Sequence, residues 1–234
     1  MKFIKSLMKA VLSGTRIVIR KGVTMIRNRG LVNTCKYIYT RYIYFLQYRI
    51  NLFKVITPEQ LKLKNIHAYN YEPSNHYTFI RMLKSIDWDW KKSVFIDIGC
   101  GKGAAILLAT RYHFKRYIGV ELSSLLAKEC ERNIRKFIGK KVIDFSIYNC
   151  DASDYIIPDD VNVFYFYNPF APPVLKVVMQ HIEESLERNP RKVIIFYFNA
   201  MYLSVILDYG YKIVHQEEKD PILRYKCGNY ALVK

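Results

Sequence analysis

Val94-Phe95-Ile96-Asp97-Ile98-Gly99-Cys100-Gly101-Lys102-Gly103 is an apolar run that ends in a carboxylate and then places three glycines at alternate positions. It predicts a strand feeding a tight turn whose backbone lies close to a ligand. Glycine at 99, 101 and 103 permits positive φ and removes the Cβ atoms that would hold a ligand away. The helix predicted to follow, Ala104 to Arg111, points its N-terminal amides into the same space, as a nucleotide-type pocket requires.

Spacing alone leaves two kinds of cofactor, because Gly99-x-Gly101-x-x-Ala104 also fits the dinucleotide fingerprint with Ala in third place. Asp97 separates them. A pyrophosphate facing this carboxylate would meet like charge, whereas a cofactor with a cationic amino-acid end would find a partner. The form acidic-x-Gly-x-Gly-x-Gly resembles the first motif of the class I, seven-β-strand S-adenosylmethionine-dependent methyltransferases. The resemblance implies a Rossmann-like fold and S-adenosyl-L-methionine as cofactor, with Asp97, Gly99, Gly101 and Gly103 among the residues that bind it.

Three more landmarks follow in the order which that resemblance implies. Tyr117-Ile118-Gly119-Val120-Glu121 is a short strand whose acid stands where relatives hold the two ribose hydroxyls, with Leu122 beside it. Val142 to Tyr148 leads to Asn149-Cys150-Asp151-Ala152, where Asp151, with Ala152, matches the residues around the adenine amino group. Val161 to Tyr167 is too densely apolar for an edge strand and ends in Asn168-Pro169-Phe170, which resembles a catalytic loop. Taken singly, Glu121 reads as a solvated strand end, Asp151 as a helix cap and Asn168-Pro169 as a turn.

Between the landmarks the pattern is that of a doubly wound, mostly parallel seven-stranded α/β sheet with an antiparallel C-terminal strand. Ser123 or Ser124 caps a helix to about Phe137, with Leu125, Leu126, Cys130 and Ile134 at helical spacing and Gly139 closing it. Pro172 and Pro173 suit a first helical turn before Val174 to Arg188, and Asn189-Pro190 stops it. Val193 to Phe198 reads as a buried fifth strand, and Tyr211 to Gln216 with Arg224 to Val233 as an antiparallel pair. Such sheets bind ligands at the carboxyl ends of their strands, where Asp97, Glu121, Asp151 and Asn168 all fall.

Charge divides the chain. Twelve of its 37 Lys and Arg residues and none of its 20 acids lie in residues 1–57, which leaves only 25 basic residues against 20 acids for the remainder. Phe3, Ile4, Leu7, Met8, Val11 and Leu12 share one helical face, with Lys2, Lys5 and Lys9 elsewhere, as in a basic amphipathic helix. The chain therefore reads as a basic, aromatic helical extension (1–57), a helical lead-in covering the pocket (58–92) and a catalytic domain (93–234). The extension fits helices packed on that domain, an anionic membrane surface, nucleic acid, or a transit peptide. No run reaches the eighteen apolar residues of a spanning helix. Five cysteines without a Cys-x-x-Cys pair imply reduced, mostly buried thiols in a cytoplasmic protein.

Ala68 to Tyr77 contains Tyr71-Glu72-Pro73-Ser74, similar to a Tyr-x-Pro-Ser/Thr element ahead of the first strand in small bacterial methyltransferases with an Asn-Pro-Phe loop. The similarity places Tyr71 and Ser74 over the cofactor; a helix start capped by Ser74, with Tyr77 and Ile80 in the core, fits equally. Asn168, Pro169 and Phe170 are the expected catalytic residues, by resemblance to the Asn/Asp-Pro-Pro-aromatic loop that grips a planar amine, and Asn168 is also expected among the residues that bind the cofactor. One proline is missing here and the aromatic residue comes a position early. Methyl transfer is an in-line displacement that needs alignment and no metal. The expected acceptor is nitrogen, on a protein lysine or a small molecule, with RNA or DNA as the rival. A nicotinamide oxidoreductase and a silent cofactor-binding adaptor are the readings from other classes.

Overall fold

The computed structural model describes residues 76–217 and 227–234 throughout (Tyr77 by its backbone), together with residues 23, 26, 27, 30–32, 34, 35, 50, 52 and 74. Tyr71, the amphipathic stretch Phe3 to Leu12 and the Asp220-Pro221 turn lie outside the described residues. Two compact units are distinguished, residues 1–43 and residues 44–234. In the first, the described residues are helical, and Val23, Ile26, Leu31 and Val32 are exposed.

The second unit is built on a seven-stranded sheet: β1 (Val94–Ile98), β2 (Arg116–Val120), β3 (Phe145–Tyr148), β4 (Val163–Tyr167), β5 (Ile194–Phe198), β6 (Lys212–Glu217) and β7 (Asn229–Val233). Their order is β3-β2-β1-β4-β5-β7-β6. The first five strands in chain order pair in parallel, and β7 runs antiparallel between β5 and β6. The expected strand ends hold to within a few residues; β3 starts three residues later than Val142, which is fully exposed. The helices are α1 (His76–Lys84), α2 (Ala104–Ala109), α3 (Ser124–Ile138), α4 (Pro172–Arg188) and α5 (Leu203–Leu207).

Because successive strand side chains alternate in direction, the sheet buries two different cores. Val94, Ile96 and Ile98 join Phe164, Phe166, Ile195 and Tyr197 against Leu175, Val178, Met179 and Ile182 of α4. Phe95 points the other way, into rings packed edge to face and tilted: its centroid is 6.3 Å from Phe79 of α1, 5.2 Å from Phe114 and 6.2 Å from Tyr165. Each such buried side chain contributes about 1.5–3 kcal/mol by area. β1, buried along its whole length, is thereby clamped from both faces. Asp97 emerges on the Phe95 face with no room to retreat.

Ser123 caps α3 by accepting from the Leu126 N–H at 3.4 Å, and Gly139 ends it with φ 58°. Leu125 departs from its expected place in the core and is 52% exposed, since it falls between the buried rows of α3. The cysteine expectation needs a similar correction. Only Cys100 and Cys130 are buried; Cys150 and Cys227 are intermediate and Cys35 is exposed. Among the described residues no helix is long and apolar enough to cross a membrane, and no three His, Cys, Asp or Glu side chains are grouped to hold a metal ion.

Candidate cofactor and acceptor site

The glycine turn is held to the next strand by backbone bonds: the Gly99 and Cys100 N–H groups both donate to the Val120 carbonyl, at 2.8 and 3.0 Å. Gly99 has φ 88° and Gly103 φ 84°, which L side chains adopt at a cost. Space adds a second constraint. A Cβ at Gly99 would lie 2.6 Å from Pro169 Cβ, and one at Gly103 would lie 2.7 Å from Cys130 Sγ. These two glycines are therefore required by the protein's own packing, in addition to any ligand. The Gly99 contact joins the glycine turn to the Asn168-Pro169-Phe170 loop.

Glu121 is 8% exposed and both of its oxygens are engaged. One accepts from the Gly101 N–H at 2.8 Å and the other from the Ser123 N–H at 2.8 Å. Burial raises its pKa, against the pull of the backbone N–H groups of Ser123, Gly101 and Leu122. The acid that the sequence assigns to a ribose also cross-braces the turn to the start of α3. Asn149 steadies the same corner, donating to the Glu121 and Leu122 carbonyls at 2.9 Å each.

Asp97 is the exception in this well-bonded corner. It is 3% exposed, and burial first, then the neighbouring Glu121 carboxylate, hold its carboxyl well above the usual range, with no hydrogen bond from the described residues opposing them. A buried carboxylate without donors is costly unless a partner arrives.

Asp151 accepts from the Ser153 N–H at 3.0 Å and from the Ser153 hydroxyl at 2.7 Å, and so caps the short 3-10 helix Ala152–Asp154. It stands beyond β3 at the same sheet edge as Glu121. Ser74 accepts from the Tyr165 hydroxyl at 2.7 Å. Tyr165 is level with Asp97 in the β1–β4 register, so Ser74 lies over the face from which Asp97 projects.

At the end of β4, Asn168 is 7% exposed and left-handed, φ 40°. Its amide oxygen accepts from the Tyr197 hydroxyl at 3.3 Å, and its amide nitrogen donates to Met201 Sδ at 3.1 Å. Phe170 turns inward, with its ring centroid 6.4 Å from that of Phe166, and anchors the loop in the core beneath α4. The neighbouring strand ends alike: Asn199, φ 49°, follows β5, accepts from the Cys227 N–H at 3.1 Å, and its own N–H donates to Asn229 Oδ1 at 2.9 Å.

The structure thus gathers Asp97, the three glycines, Glu121, Leu122, Asp151, Ala152 and the 168–170 loop along the carboxyl edge of the parallel strands, with Ser74 above them. Residues that the sequence reading missed are those that hold this edge in place. Lys102, inside the glycine turn, is 4% exposed, and its Nζ is 3.2 Å from Glu129 Oε2 of α3. Tyr197 and Met201 clamp the second loop, and Asn199 ties the end of β5 to Cys227 and Asn229. Asn199 carried a visible signal, since it ends β5 as Asn168 ends β4; the others are ordinary core letters in the sequence.

No family model matches this sequence, and none of the curated proteins is similar to it. Solved structures are similar in fold. A methyltransferase of Leishmania major described as S-adenosylmethionine-dependent aligns with TM-score 0.51 and 9% identity over 67% of this chain and 70% of that one. Magnesium protoporphyrin IX methyltransferase of Synechocystis, solved with bound S-adenosylmethionine, aligns at 0.50 and 12% identity over 68% and 77%. Ribosomal protein L11 methylase of Lactobacillus delbrueckii aligns at 0.50 and 14% over 68% and 79%. The fold of this chain is similar to that of these methyltransferases.

Proposed function

We propose that the protein is an S-adenosylmethionine-dependent methyltransferase acting on nitrogen, with a protein lysine or a small-molecule amine as acceptor. The observation that carries the reading is Asp97: a buried carboxyl with no hydrogen-bond donor among the described residues, beside a glycine turn at the carboxyl ends of the parallel strands. The residues present fit the cofactor. Asp97 would take its ammonium end, Glu121 its ribose hydroxyls, Leu122 and the Asp151-Ala152 corner its adenine, and Ser74, with Tyr71, would cover the methionine end. The bound cofactor supplies a methyl group on a sulfonium sulfur.

The chain's own task is to align the acceptor and exclude water. Pro169 sits on Gly99, so the acceptor loop is fixed against the cofactor turn. The clamp on Asn168 holds its side-chain amide, leaving one amide hydrogen and one oxygen lone pair to face an amine. A lysine must first lose its proton from a reference pKa of about 10.4, and an apolar site favours the neutral form. Among the fold neighbours the named acceptors range from a ribosomal protein to magnesium protoporphyrin IX, so the fold leaves the acceptor open. Charge favours a second reading, nucleic acid as acceptor. The exposed Val23, Ile26, Leu31 and Val32 within the basic extension favour peripheral contact of residues 1–57 with an anionic membrane in a cytoplasmic protein.

The test is an acceptor screen with tritium-labelled methyl donor against lysine peptides, total soluble protein, small amines and RNA. Label in protein or small amines, lost in Asp97→Ala, is expected. Label in RNA alone would replace the nitrogen acceptor proposed here with the second reading, and label nowhere would favour the silent adaptor.

A further inference from the structure

Cys100 lies in the glycine turn between Gly99 and Gly101, and Cys130 lies on α3 thirty residues later. Their sulfurs are 3.8 Å apart, and both residues are buried, 4% and 0% exposed. The Cys130 sulfur also fills the space that a side chain at Gly103 would need. One thiol therefore touches the turn at its start and at its end. We infer that Cys100 and Cys130 form a redox-active dithiol, a modification site at which a hydroperoxide links the cofactor turn to α3 by a disulfide.

A disulfide requires the sulfurs to approach to about 2.05 Å. The glycines on either side of Cys100 give the turn the freedom to make that movement, and among the described residues the other three cysteines, Cys35, Cys150 and Cys227, are less buried than this pair. The chemistry balances with the peroxide alone. The Cys100 sulfur attacks a peroxide oxygen; the O–O bond breaks, the first water leaves and a sulfenic acid forms. The Cys130 sulfur then attacks that sulfur; the S–S bond forms, the S–O bond breaks and a second water carries off the remaining oxygen. Two electrons pass from the thiols to the peroxide, and both thiol protons end in water.

Contact with Cys130 and burial push the Cys100 thiol up, so its reaction with peroxide is slow. Once linked, Cys100 is drawn toward α3, and the adjoining Gly101 N–H is pulled from its 2.8 Å bond to Glu121. The carboxylate assigned to the ribose loses its brace, and the turn no longer fits its ligand. This consequence rests on the proposed function; the linkage itself does not.

The experiment treats the full chain with hydrogen peroxide, blocks residual thiols and maps peptides without reduction, then measures S-adenosylmethionine binding before and after. A Cys100–Cys130 peptide is expected in the wild type, reversed by dithiothreitol and absent in Cys130→Ala, with affinity at least tenfold weaker in the linked protein. Absence of that peptide, with peroxide adducts on Cys35 or Cys227 instead, would overturn the inference, as would a linked protein that binds the cofactor unchanged. If the reduced wild type binds no cofactor, the proposed function fails, and the peptide map alone decides the dithiol.

Discussion

The two halves of the sheet's carboxyl edge solve opposite problems. At β1, Asp97 is buried with no donor among the described residues, and its carboxyl is held well above the usual range by burial and by Glu121. At β4 and β5, Asn168 and Asn199 are left-handed, yet their side chains are satisfied by Tyr197, Met201 and Cys227. The first half keeps an unmet demand for a cation, and the second keeps its geometry. A site that binds one shared cofactor and one particular acceptor is expected to divide in this way: charge complementarity on one side, a rigid frame on the other.

The largest effect is expected where the halves touch. Gly99→Ala places a Cβ 2.6 Å from Pro169 Cβ at φ 88°. Left-handed strain and overpacking together should cost about 2–4 kcal/mol of stability in urea denaturation and abolish cofactor binding. A variant that keeps both would show that the halves are independent.

Asp97→Ala should separate function from stability. Loss of a buried charge partner weakens S-adenosylmethionine binding about 100-fold, while the cofactor-free protein melts no lower than wild type, because an unsatisfied carboxyl has gone. Asn168→Ala should do the reverse. It removes the Asn168 side-chain bonds to Tyr197 and Met201, lowering stability by about 1 kcal/mol, and it shifts cofactor affinity little. If Asn168→Ala leaves stability untouched, the frame description of the second half is wrong.

Two pH effects follow with opposite signs. The Asp97 carboxyl is raised in the folded, cofactor-free protein, so the folded state holds a proton that the unfolded chain releases, and stability falls as pH rises above the ordinary carboxylate value. A cationic ligand needs the ionised form. Binding should therefore tighten with rising pH and release a proton, detectable by calorimetry in buffers of different ionisation enthalpy. His76 behaves otherwise. Burial and then the Arg111 charge lower its pKa from 6.5 to about 4, so it contributes stability that is complete above pH 6.5 and lost as pH falls toward 4. The ring is partly solvated, which limits the loss to about 1 kcal/mol. It should vanish in His76→Gln, measured by thermal melting between these pH values.

Much of this comparison was legible in the sequence, unevenly. The strand-and-turn layout of the glycine half was legible because its pattern is local: an apolar run, an acid and alternate glycines lie within ten residues, and each following acid closes its own strand. Seven strands and the reversed β7 could be read from periodicity and turn residues. The second half was only half visible. Asn168-Pro169-Phe170 stood out, but the clamp on Asn168 comes from Tyr197 and Met201, about thirty residues on, and nothing in their local sequence distinguishes them from other core positions. Leu125 failed for a related reason: helical spacing identifies a stripe, and only packing decides which edge of the stripe is covered. Lys102 shows the same limit, since a lysine between two glycines reads as solvated until Glu129 is placed beside it.

The most direct measurement is calorimetric titration of S-adenosylmethionine, S-adenosylhomocysteine and NAD into the wild type, Asp97→Ala and Glu121→Ala. Binding of both sulfur compounds to the wild type, weakened in each variant and absent for NAD, is expected. Binding of NAD alone, or of none of the three, would contradict the assignment of the glycine turn and Asp97 to a methyl-donor site.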